Sequence, residues 1–230
     1  FGYQWEKFDQ KEMFLKNEPY FRQYFSLLPK KYLNKEIIAF DAGCGSGRWA
    51  ELVAPKIGRL TCIDASEEAL TVAKRNLKYL NNIDFLQATV SEHPLKHNSQ
   101  DFGYSLGVLH HIPNTAQALK DCVKILKPGA PFLLYLYYKF DNRPIWYAII
   151  WRISDIVRRL ISILPSSLKS FITNTIAMTI YFPLARLAFL GEKIGLNVNN
   201  WLLASYRKTS FFTMRTDSRD RFGTPLEQRD

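Results

Sequence analysis

Cysteine is scarce in this chain of 230 residues: Cys44, Cys62 and Cys122 are odd in number, widely spaced and form no C-x-x-C pair. That pattern suggests neither a zinc site nor a disulfide framework, and it reads as reduced thiols of a cytoplasmic protein with no bound metal. A run able to span a bilayer, about 20 mostly apolar residues, is also missing. The two most apolar stretches are broken, one by Arg152, Asp155, Arg158 and Arg159 and the other by Pro183 and Arg186. No internal repeat is found. Acidic residues are in deficit, 21 against 31 lysines and arginines, for a formal charge of +10. Residues 1 to 139 carry 18 basic and 14 acidic residues, an excess of 4, and residues 140 to 230 carry 13 and 7, an excess of 6. Such an excess suits a membrane surface, a nucleic acid, an acidic substrate or a merely solubilising surface. A chain that opens on Phe1 rather than Met reads as a portion of a longer one.

What is present is alternation. At 47% hydrophobic residues the chain can bury one sizeable core. Short apolar runs at 37–42, 60–64, 83–87, 102–108 and 131–138 read as strands. Between them, Leu70, Val72, Ala73, Leu77 and Leu80 recur near helical spacing in 67–80, as do Ala116, Leu119, Val123 and Leu126 in 114–126. Ser66 is placed to cap the first of these helices, with Glu67 and Glu68 in its opening turn. Strands alternating with helices close as right-handed βαβ units. They predict an α/β fold with a doubly wound, mostly parallel sheet that binds ligands beyond the carboxyl ends of its strands.

Directly behind the first strand stands FDAGCGSGRW, with Gly43, Gly45 and Gly47 spaced two apart. A glycine-rich turn at this place lets backbone groups approach a ligand without Cβ obstruction. The dinucleotide fingerprint G-x-G-x-x-G would need its third glycine at position 48, which is Arg48. The pyrophosphate reading therefore loses its support.

Asp41-x-Gly43-x-Gly45-x-Gly47 instead resembles the first motif of the class I S-adenosylmethionine-dependent methyltransferases. Three further segments follow in that family's order: Cys62-Ile63-Asp64-Ala65-Ser66 after the second strand, the run from Asp101 to Ile112 at the fourth and after it, and Leu126-Lys127-Pro128-Gly129 before the fifth. The resemblance implies S-adenosylmethionine as methyl donor, with S-adenosylhomocysteine as product. It implies that Asp41 faces the donor's ammonium, directly or through water, and that Asp64, with Ala65 beside it, accepts from the ribose hydroxyls. Leu106 and Gly107 would line the methionine portion. The acidic residue often found after the third strand is absent, and Thr89 and the Val90 amide are left to meet the adenine.

His110 and His111 are candidate general bases, because imidazole titrates near neutrality, although adjacent side chains point apart and at most one would face a pocket. Tyr137 and Arg143, after the fifth strand, are candidates for the acceptor pocket. Methyl transfer asks mainly for in-line approach in a desolvated site, so a dedicated base is optional.

The expected organisation is an N-terminal helical cap at 1–36, a donor-binding core at 37–139, a helical insertion at 140–210, and at 211–230 the start of a C-terminal core portion that is incomplete. In 144–164 the apolar Ile149, Ile153, Ile156, Leu160 and Leu164 repeat at three and four, with Arg152, Asp155, Arg159 and Ser162 opposite. The insertion reads as a lid over an acceptor, as a peripheral membrane contact through 144–190, or simply as two packed helices. Three functions follow. One is methylation of oxygen, nitrogen or carbon on a small or lipid-like acceptor. Another is nucleic-acid methylation, disfavoured because Ser105-Leu106-Gly107-Val108 stands where an N/D-P-P-Y/F turn would be. The third is a non-catalytic donor-binding or membrane-surface module.

Overall fold

A computed structural model describes residues 21–137 and 144–225, which fall into two compact units divided between 137 and 144. The first contains a five-stranded, wholly parallel sheet: β1 (Ile38–Ala42), β2 (Arg59–Asp64), β3 (Ile83–Gln87), β4 (Phe102–Leu106) and β5 (Phe132–Tyr135). The strand order is β3-β2-β1-β4-β5, so the winding direction reverses between β1 and β4. Side chains alternate across the sheet as the two-residue period requires. Ala39, Leu60, Cys62, Phe102, Tyr104 and Leu133 enter the core on one face. Phe40, Ala42, Ile63 and Phe132 enter the core on the other. Burying an aromatic ring such as Phe102 contributes about 1.5–3 kcal/mol.

Helices α1 (Ala50–Val53) and α2 (Glu67–Asn76) cover the first face, and α3 (Thr115–Ile125) covers the second. The Ser66 hydroxyl accepts from the Ala69 amide at 3.1 Å, the cap that starts α2. Asn114 does the same for α3, accepting from the Gln117 amide at 3.0 Å. Each cap is worth about 1 kcal/mol. The sequence pattern misses α1, which is too short for a period to show, and it overstates the alternation: residues 88–101 join β3 to β4 without a helix. Before β1, residues 21–25 are helical and lay Phe21 and Phe25 on the first face, where Phe25 meets Tyr104 edge-on at 5.4 Å.

The second unit is helical: α4 (Ile145–Ser162), α5 (Ser166–Ile176), α6 (Phe182–Lys193) and α7 (Phe211–Gly223). A π-helical turn at Ala177–Tyr181 joins α5 to α6 without a break. Pro183, expected to interrupt the helix, sits in the first turn of α6; the wider turn before it absorbs the missing amide donor. Residues 211–223 correct another expectation. They do not begin a return to the sheet, but form a helix of this unit packed on α4 and α5. The Ser218 hydroxyl donates to the Thr173 carbonyl at 2.8 Å, and Arg215 Nε donates to Asn174 Oδ1 at 3.2 Å. These polar bonds fix α7 in place where an apolar stripe is lacking. No helix among the described residues is long and apolar enough to cross a membrane.

Candidate functional site

The predicted binding residues converge at the carboxyl ends of β1 to β4, around the point where the strand order reverses. Gly43, Gly45 and Gly47 have φ of +85°, +54° and +83°, conformations that side chains rarely adopt. The loop they form is tied to the end of β2, because the Ile63 carbonyl accepts from both the Gly43 amide at 2.8 Å and the Cys44 amide at 3.0 Å. Its far end is held from α2, where Asn76 Nδ2 donates to the Ser46 carbonyl at 3.2 Å.

Asp64 ends β2 and organises its surroundings. Oδ2 accepts from the Gly45 amide and Oδ1 from the Ser66 amide, each at 2.9 Å. Burial raises its carboxyl above the usual range, while the Ser66 and Gly45 amides pull it down. The result is an oriented acceptor with lone pairs left over, at a strand end beside the glycine loop. Ala65 next to it is exposed. The Ala88 amide continues the β2–β3 pairing onto the Asp64 carbonyl at 3.1 Å, which brings Thr89 and Val90 alongside. The Thr89 hydroxyl accepts from the Glu92 amide at 3.0 Å, so it pins its own turn as well as offering a hydroxyl. The Val90 side chain is buried.

Asp41 lies beneath the loop, 1% exposed, between Cys62 and Tyr104 on the neighbouring strands. Burial pushes its carboxyl up to about 8; the nearby Tyr104 phenol and Arg48 draw it down, and Asp64 pushes it further up. Asp41 Oδ2 and Ser46 Oγ are buried with no hydrogen-bond partner among the described residues, and the buried Tyr104 hydroxyl faces the Asp41 carboxyl. Unsatisfied buried polar atoms are costly, and their placement under a glycine turn fits a polar or cationic ligand.

On the β4 side, the Ser105 hydroxyl donates to the Ala42 carbonyl at 2.8 Å and locks β4 to β1. Leu106 and Gly107 follow, half-buried. Gly107 has φ +80°, and a Cβ there would meet nothing nearer than Tyr135 Cδ1 at 4.0 Å. Gly43 contrasts with it, since a Cβ there would lie 2.4 Å from Val108 Cγ1. Gly43→Ala should therefore destabilise the fold by about 2–3 kcal/mol, combining left-handed strain with overpacking. Gly107→Ala should cost only the strain, about 1 kcal/mol. Thermal denaturation of both, and of Gly43→Ala with Val108→Ala, checks this: the double variant should recover only some of the packing part, since the residue 108 Cβ would still lie at 2.9 Å.

The histidines part company. His110 is wholly buried and stacks on Tyr137 with centroids 3.9 Å apart, whereas His111 is half-buried. Tyr137 also meets Tyr135 edge-on at 6.2 Å, so both tyrosines border this side of the site. Arg143 lies outside the described residues. Sequence reasoning did not single out Asn76, Val108 or Tyr104. The legible signals were polar Asn76 on the apolar side of its helix and polar atoms inside an apolar strand.

Three comparisons bear on this geometry. Residues 40–134 match the family model described as Methyltransferase domain. A ubiquinone biosynthesis O-methyltransferase of Saccharophagus degradans is 36% identical over 91 residues, which cover 39% of this chain and 39% of that protein. The chain thus spans about two fifths of the length of the curated relatives it matches. Two crystal structures share the fold. A candidate methyltransferase of Bacillus halodurans C-125 aligns at a TM-score of 0.53 and 18% identity, covering 60% of this chain and 58% of that one. The YcgJ protein of Bacillus subtilis aligns at 0.51 and 23%, covering 59% and 58%. With four motifs in order, a doubly wound parallel sheet and a matching family model, residues 40–134 are similar in sequence and fold to methyltransferase domains.

Proposed function

We propose that this protein transfers the methyl group of S-adenosylmethionine to an oxygen of a small or lipid-like acceptor. The observation that carries the reading is Asp64, held by the Gly45 and Ser66 amides next to three left-handed glycines, with unsatisfied Asp41 Oδ2 beneath them. The 36% identity to proteins named ubiquinone biosynthesis O-methyltransferase supports oxygen over nitrogen or carbon.

The bound donor would supply a methyl group on a positively charged sulfonium, already activated for transfer. The chain's part is to hold and orient it. Asp64 takes the ribose hydroxyls, Asp41 takes the ammonium of the amino acid end, and Thr89 and Val90 border the adenine. Gly107 leaves room for the methionine portion, since the space a Cβ would fill there is open. Of the two histidines, His111 is the one with solvent access, and we place it on the acceptor side; buried His110 supports the Tyr137 ring. No residue need act as base for a donor this reactive when the acceptor is held in line.

Calorimetry with S-adenosylmethionine and S-adenosylhomocysteine tests the donor site. A panel of phenolic, amine and carbon-acid acceptors with isotopically labelled donor tests the acceptor class. Label on a hydroxyl acceptor is expected. Binding without transfer to any hydroxyl, or transfer only to amines or carbon, would overturn the oxygen assignment.

A further inference from the structure

The helical unit buries polar side chains beside a small apolar core of Ile161, Tyr181, Ala185, Met214 and Phe222. Its buried side chains include Asp155, Arg158, Ser170, Thr173, Ser218, Arg219 and Thr224. Arg158, 2% exposed, donates through Nε to Asp155 Oδ1 at 2.8 Å and through Nη1 to the Thr224 carbonyl at 2.9 Å. Arg221 Nη2 donates to the Ser154 hydroxyl at 2.7 Å, again on the inner side of α4. The outer side of α4 is the reverse. Trp146, Ile149, Ile153, Ile156, Val157 and Leu160 all face outward, with Ile153 58% and Ile156 and Leu160 each 62% exposed. At about 100° per residue these positions, with Ile145, Ile150 and Ile163 at the margins, form one continuous stripe about 140° wide. Water-soluble folds place helices the other way round, because each aliphatic side chain left in water forfeits about 1.5–3 kcal/mol of burial. A stripe of this length marks a surface with a partner.

Charge decides which partner. One margin of the stripe is lined by Arg152 and Arg159, both exposed, and Arg159 also donates through Nε to Asp155 Oδ2 at 3.0 Å. From 144 to 225 the sequence carries eleven basic and four acidic residues. A second copy of the chain would bring the same excess against itself. An anionic lipid surface matches both features: aliphatic chains for the stripe and negative headgroups for the arginines. The helix cannot cross the bilayer, because its opposite side holds the Asp155–Arg158 pair.

We infer that the outer stripe of α4 is an interfacial membrane anchor, lying flat in the headgroup region of anionic lipid with Arg152 and Arg159 at its edge. This inference does not depend on the methyl acceptor, and its tests do not use activity.

Flotation of the full chain with phosphatidylcholine vesicles, with and without phosphatidylglycerol, reads it directly. Binding is expected to the anionic vesicles and to weaken as salt rises. Ile153→Gln, Ile156→Gln and Leu160→Gln combined should cut that binding about a hundredfold. Their melting temperature should not fall, since these side chains support no core. Arg152→Gln should lower binding to anionic vesicles about fivefold and leave binding to neutral ones unchanged. Failure to bind anionic vesicles, or binding untouched by the triple change, overturns the assignment. So does a lipid-free dimer, seen by light scattering, that the triple change dissociates, because a second copy would then cover the stripe.

Discussion

Asp64→Ala is expected to lower the affinity for S-adenosylmethionine by a factor of about 100 to 10,000, the largest effect of any single change at the site. Two contributions combine. A carboxylate accepting two hydroxyl donors loses about 1.5–3 kcal/mol for each when removed, and a tenfold loss in affinity corresponds to about 1.4 kcal/mol. The second contribution is indirect. Asp64 also accepts from the Gly45 and Ser66 amides, so its removal frees the middle of the glycine loop and the start of α2 together. Asp64→Asn separates the two, since one amide oxygen can still accept while the charge is gone; it should lie between wild type and alanine. Titration calorimetry with donor and product measures both variants, and circular dichroism confirms that the fold stands. A folded alanine variant that binds at wild-type affinity would remove Asp64 from the site.

The ease with which Asp64 could be found in the sequence, and the difficulty with its supporting residues, have the same physical origin. A residue that ends an apolar run and precedes a capped helix is marked by local pattern alone, and Ser66 with Glu67 and Glu68 supplied that mark. The glycines were equally legible, because positive φ leaves few alternatives to glycine. Asn76, Val108 and Tyr104 act through contacts 30 to 65 residues distant in sequence, which no local period encodes. The same limit explains α4. Its apolar period was plain, and pattern alone could show that the helix had two unlike sides. Which side turns inward depended on α7, a helix with no apolar stripe of its own: its Arg221 donates to Ser154, and the Thr224 carbonyl just after it accepts from Arg158. The missing helix between β3 and β4 is a different kind of error, since the rule of alternation was extended over residues 88–101, where no helical period exists.

Asp41 gives the second large prediction, through pH. Its carboxyl stands at about 8 in the folded protein, against 3.8 ordinarily, chiefly because burial disfavours the charge. Between those values the folded chain keeps a proton that the unfolded chain has lost, so the stability of the ligand-free protein should fall as pH rises from about 4 to 8 and level off above. At about 1.36 kcal/mol per pH step the loss by pH 7 is up to about 4 kcal/mol. Asp41→Asn mimics the neutral carboxyl at every pH. It should flatten that slope and leave the ligand-free variant more stable than wild type at pH 7 to 8. A cationic ligand reverses the preference, because a positive group brought to Asp41 Oδ2 stabilises the ionised form. Binding of S-adenosylmethionine near pH 7 should then expel close to one proton, measurable by calorimetry in two buffers of different ionisation enthalpy. The variant should expel none and should bind less tightly, most clearly above pH 8 where the wild-type carboxylate is already charged. A flat stability profile in wild type, together with identical binding heats in the two buffers, would show that Asp41 is ionised throughout. The buried carboxyl would then be part of the fold's permanent charge rather than a group that the donor's cation ionises on binding.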